Sequence, residues 1–131
     1  MIRTILAAFA GIVIAMVVVM AVEAIGQYVY PPPPGIDVRK PEELARLIAG
    51  LPSGALVFVV AAWLTGALIG AFTGTWLSEK RSLIPAVSVG LAVTLGVLYV
   101  CYKIPHPLWM LASGLALPLP LAIATARWSR P

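Results

Sequence analysis

Apolar residues in this chain fall in long unbroken runs. They show neither the alternation of a half-buried strand nor the one-sided stripe of a water-soluble helix. Four runs each exceed the 18 residues or so needed to cross a hydrocarbon core of about 30 Å. They cover about residues 5–30, 53–77, 83–102 and 108–128. The first, at 1.5 Å per residue, is roughly 38 Å long and crosses with some tilt.

Polar and helix-breaking residues punctuate the runs. Pro31–Pro34 supply no backbone donors, so YPPPPG stops the first helix and continues as a stiff spacer, with Gly35 letting the chain turn. In residues 41–50 the pattern changes: Leu44, Leu47, Ile48 and the following Leu51 share one face of a short amphipathic helix. Pro41 suits its first turn, Glu42 and Glu43 suit its positive end, and Arg46 stands in register to pair with Glu42. A helix this short lies at a membrane interface. The pattern predicts an all-α membrane protein: a four-transmembrane-helix antiparallel bundle, with an interfacial helix between spans one and two. Residues 1–131 form a single integral membrane domain.

Composition sharpens this picture. Only 11% of residues are charged and 61% are hydrophobic, whereas a soluble domain needs charges near a quarter of its residues. The net charge of +4 comes from Lys and Arg at the ends of the runs. There they set orientation and touch lipid phosphates, and no basic stripe with interleaved aromatics marks a nucleic-acid binder. Arg3, Lys80, Arg81, Arg127 and Arg130 fall on one side, and Arg39, Lys40, Arg46 and Lys103 on the other. The count places both termini in the cytoplasm of a multi-pass inner-membrane protein. The N-terminal run is too long for a signal-peptide core and lacks a clean cleavage site, so it is expected to remain as span one. Cys101 is the only cysteine, which excludes an internal disulfide or a cysteine metal cluster.

Small residues and prolines inside the runs predict packing. Gly66, Gly70 and Gly74 repeat every fourth residue, a glycine-zipper pattern that lets a second helix approach closely. Packing within the chain is the first reading and a homo-oligomer seam the second. Ala86, Gly90 and Thr94 form another small stripe in span three and are its expected partners. Pro118 and Pro120 remove the helical partners of the Gly114 and Ala116 carbonyls and predict a kink in span four.

Candidate chemistry is sparse. Glu23 lies about 9 Å beyond the middle of span one by helix rise, where an ionised carboxylate is unfavourable unless paired, wet or protonated. Gln27 is one turn further on the same face. His106 and Lys103 belong to the turn on the same side of the membrane. If spans one and four are neighbours, these four residues converge. Two readings stand: a proton or ligand site, or a structural polar contact near the interface. One Glu and one His are too few to hold a metal. No catalytic triad, phosphate loop or intramembrane carboxylate pair is present, so the expectation is no enzyme, no cofactor and no metal.

Two resemblances bear on this. AVEAIGQ, residues 21–27, is similar to the stretch around the essential glutamate of small multidrug-resistance transporters, onto which Glu23 maps. In that family the acid lies mid-span, while here it lies near the end of span one. More broadly, EAIGQ…YPPPPG, LPSGA…AWLTGALIGA, IPHPLW and LPLP together resemble a group of small four-span bacterial inner-membrane proteins. That resemblance implies the architecture and supplies no activity. Read together, these features make the chain a structural, accessory or assembly protein of the bilayer, with a homo-oligomer or membrane-complex partner, and the alternative is a minimal proton-coupled carrier using Glu23.

Overall fold

The computed structural model describes residues 1–37 and 39–130 and is all-helical, with no strand among the described residues. Helix α1 is Ile2–Val29, α2 Pro41–Gly50, α3 Ser53–Leu77, α4 Ile84–Lys103, α5 Leu108–Ala116 and α6 Pro118–Trp128. Four rods are long and apolar enough to span a membrane: α1, α3, α4 and the α5–α6 pair taken together. Water would penalise their outward faces, which carry Phe9, Met16, Met20, Leu95 and Leu98; hydrocarbon does not.

The fold is an antiparallel bundle. Gly11 of α1 lies opposite Gly70 of α3, and Gly26 opposite Phe58, so the two helices run in opposite directions. Gly74 meets Pro85 and Gly70 meets Val89, which reverses direction from α3 to α4; Gly114 meets Val97 and Gly90 meets Leu119 and Ala122, which reverses it again from α4 to the α5–α6 rod. Helix α3 packs against every other spanning rod, whereas α1 packs along α3 and α4. The core consists of alanines and valines together with Leu56, Trp63 and Met110.

The ends follow from local chemistry. Gly35 adopts φ +87°, the left-handed region that a side chain disfavours, and turns the chain after the prolines. Helix α2 begins at Pro41 with Glu42 and Glu43 in its first turn. Its expected Glu42–Arg46 pair does not form among the described residues. Glu43 instead accepts a 2.5 Å hydrogen bond from the Asp37 amide and lies 3.9 Å from the Lys40 amine, which ties the loop to the helix it precedes. Ile48 and Leu51 pack against the core. Span four is interrupted at Leu117, where α5 ends and Pro118, buried, opens α6.

Candidate functional site

Close packing concentrates on α3. A methyl group added at Gly66 would lie 2.8 Å from the Ala15 carbonyl oxygen, at Gly70 2.5 Å from that of Gly11, and at Gly74 3.1 Å from that of Ala7. The glycine stripe therefore seats the backbone of α1, within one chain. Here the expected pairing is corrected. The stripe in span three is not the main partner of these glycines: Gly90 faces Leu119 and Ala122 of α6, Ala86 is fully buried, and the Thr94 hydroxyl donates to the Gly90 carbonyl at 2.8 Å. The α4 atoms nearest the α3 glycines belong to Val89 and Pro85. The residues that the glycines do receive, Ala7, Gly11 and Ala15, repeat at the same four-residue spacing. That spacing was the signal for them, hidden in a run where every neighbour is apolar.

One end of the bundle is held by basic side chains. The Arg3 Nε donates to the Leu77 carbonyl at 2.9 Å, an Arg81 guanidinium nitrogen to the Ser129 carbonyl at 2.5 Å, and the Arg130 Nε to the Arg81 carbonyl at 3.0 Å. Three separate chain segments meet there. The turn Glu79–Arg81 contains Lys80 at φ 52° and Arg81 at φ 48°, a left-handed backbone that is unfavourable for residues with a Cβ by about 1–2 kcal/mol each. The bond that Arg81 donates to Ser129 and the one it accepts from Arg130 hold it in place. Glu79 pairs at 2.8 Å with the amino group of Met1. That hydrogen bond, then the amine's charge, and to a lesser degree Arg3, hold its carboxyl below the usual carboxylate range.

At the opposite end the four polar candidates stand apart. Glu23 is half-buried on the flank of the α1–α3 seam, and Gln27 is exposed. Among the described residues Glu23 makes no hydrogen bond or ion pair with Gln27, Lys103 or His106. The His106 Nδ1 lies 2.7 Å from the Ile104 carbonyl, an acceptor only, so this nitrogen carries the proton. The imidazole rests against Trp63 of α3 with 6.3 Å between ring centroids. Lys103 is exposed and its amine stands 5.8 Å from the centre of the Tyr99 ring, a cation–π contact. The convergence of these residues needed α1 beside α5, and α1 packs instead along α3 and α4. Trp63 was not singled out by sequence, yet it links the His106 turn to the core: a methyl group at Gly114 would lie 2.7 Å from its ring.

No group of three or more His, Cys, Asp or Glu side chains close enough to hold a metal ion occurs among the described residues. The Thr75 hydroxyl, fully buried between the helices, has no hydrogen-bond partner among the described residues. Compared with protein families, curated proteins and solved structures, the chain matches none.

Proposed function

We propose that this chain is a multi-pass protein of a bacterial inner membrane with a structural, accessory or assembly role, and that it is not an enzyme. One observation carries the reading. The hydrophobic core of the bundle is packed to backbone contact along the α1–α3 seam, while the one carboxylate within a span, Glu23, sits on the flank of that seam. A carrier needs a wet path through its interior, and a seam in which a single methyl group would collide with a carbonyl has no room for one. Proteoliposomes containing the wild-type protein are expected to pass neither protons nor solutes across a broad substrate panel. Flux that disappears in Glu23→Gln would replace this reading with the second one.

That second reading is a minimal proton-coupled carrier, favoured by the half-buried Glu23 carboxylate with no hydrogen-bond partner among the described residues. It requires a larger opening of the α1 flank than this structure has.

Both termini lie in the cytoplasm in this proposal. Support comes from the five basic residues at the end where Met1, the Glu79–Arg81 turn and Arg130 meet. In a Cys101→Ala background, Gly35→Cys is expected to react with an impermeant maleimide in intact cells, and Ser82→Cys only after the membrane is opened. The reverse pattern would invert the topology. The partner is the bilayer itself together with a membrane complex or a second copy, and nucleic acid is not one.

A further inference from the structure

The outward face of α6 carries a shallow groove of about 610 Å³, lined by Leu119, Pro120, Ile123, Ala124 and Arg127. Its chemistry changes along its length. The pyrrolidine ring of Pro120 and the methyl of Ala124, one turn apart, make a low floor, and the longer Leu119 and Ile123, also one turn apart, rise along one side of it. At one end stands Arg127, which is exposed and makes no hydrogen bond or ion pair among the described residues. The distance from Leu119 to Arg127 is about 12 Å by helix rise, within one leaflet of a hydrocarbon core about 30 Å thick. Trp128, 92% exposed, stands next to Arg127 and marks the interface level, where indole rings concentrate.

We infer that this groove binds an anionic glycerophospholipid, with one acyl chain along Leu119, Pro120, Ile123 and Ala124 and the headgroup phosphate on Arg127. Charge selects the occupant. Arg3, Lys80, Arg81, Arg127 and Arg130 share this end with a single acid, Glu79, and that acid is engaged by the Met1 amine. Arg81 and Arg130 each spend a guanidinium nitrogen on a carbonyl, which keeps them fixed close to the end of α6, and Arg127 is left to face the lipid. A phosphate here gains bidentate guanidinium contact together with the field of the fixed charges. A zwitterionic lipid would fill the same groove with a weaker headgroup contact. A free phosphate would lack the apolar half of the site.

The test uses purified full-length protein in detergent, with lipid binding read by native mass spectrometry and thermal stability. Phosphatidylglycerol is expected to be retained in preference to phosphatidylcholine, and inorganic phosphate is expected to have no effect. Arg127→Gln should lower phosphatidylglycerol binding about fivefold, the effect of one basic residue at a charged surface, with phosphatidylcholine binding unchanged. Ala124→Leu raises the floor without touching the charge and should lower retention of both lipids. Arg39→Gln, at the opposite end, should change neither. Ala124→Leu faces outward, and an unchanged melting temperature in lipid-free detergent confirms that it folds. Wild-type lipid retention in Ala124→Leu, a preference for phosphatidylglycerol that survives Arg127→Gln, stabilisation by phosphate alone, or a dimer abolished by Ala124→Leu would each overturn the assignment.

Discussion

Gly70 of α3 lies against the backbone of Gly11 of α1, and the contact is reciprocal: a methyl group on Gly70 would be 2.5 Å from the Gly11 carbonyl oxygen, and one on Gly11 2.7 Å from that of Gly70. The obstruction at both positions is main chain, which a rotamer change cannot relieve. Gly70→Ala should therefore push the helices apart and destabilise the bundle by about 1–3 kcal/mol, as overpacking does. Gly96 of α4 has nothing within 4 Å of an added methyl, and Gly96→Ala should be neutral or stabilising through helix propensity. Unfolding of both variants in the same detergent checks the contrast.

Trp63 is the only tryptophan of the core; Trp76, Trp109 and Trp128 are exposed. Trp63→Ala should lower stability by about 3–5 kcal/mol, the usual range for emptying a large buried aromatic site. Trp63→Phe should lose less. His106→Ala removes the ring that lies on Trp63 and the hydrogen bond to Ile104, both at a half-buried turn, and should fall well short of Trp63→Ala. Denaturant unfolding of the three variants would order them. An effect of His106→Ala as large as that of Trp63→Ala would mean that the turn, and not the core, anchors the ring.

Glu79 gives a pH dependence with a definite sign. Its carboxyl titrates below the usual range because the Met1 amine favours the charged form. A depressed acid contributes stability above its unfolded value and loses it as pH falls through the folded one. At neutral pH, wild type should be slightly more stable than Glu79→Gln, since both partners are exposed. The two should converge as the medium becomes more acid than the ordinary carboxylate range. Melting curves across that window test it, and a difference that grows on acidification would contradict the pairing.

For Glu23 the expected effect on stability is the opposite of that on a functional acid's activity. The side chain is half-buried on a helix flanked by apolar residues and accepts no hydrogen bond among the described residues. Glu23→Leu should then raise the melting temperature in detergent, by on the order of 1 kcal/mol of relieved desolvation. Loss of stability would reveal a partner for the carboxylate.

The four rods and the interfacial helix were legible because hydrocarbon thickness and proline chemistry impose lengths and stops that a sequence must display. Pro31 ends α1 at Val29 plus one residue, and Pro118 opens α6 for reasons visible in single residues. Neighbourhood was not legible. Gly66, Gly70 and Gly74 announce a close approach but do not name the helix that makes it. The small stripe of α4 fits the pattern as well as Ala7, Gly11 and Ala15 do. The bundle uses the latter for backbone contact and turns Gly90 to α6. The grouping of Glu23 with His106 failed to form for the same reason, since it rested on α1 and α5 being adjacent. The pairing of Glu42 with Arg46 does not form among the described residues; the acid engaged in this turn is its neighbour Glu43, which accepts from the Asp37 amide.

Helix α1 packs along α3 and α4, and α5 and α6 close the bundle on the far side of those two helices. If α1 swings away on its proline tether, α3 is left with a furrow floored by Gly66, Gly70 and Gly74, shaped for any rod with a small residue at every fourth place. A second molecule carries that rod. Such an exchange would rebuild the same seam between two copies, with the loop after Tyr30 as the hinge whose path has to change.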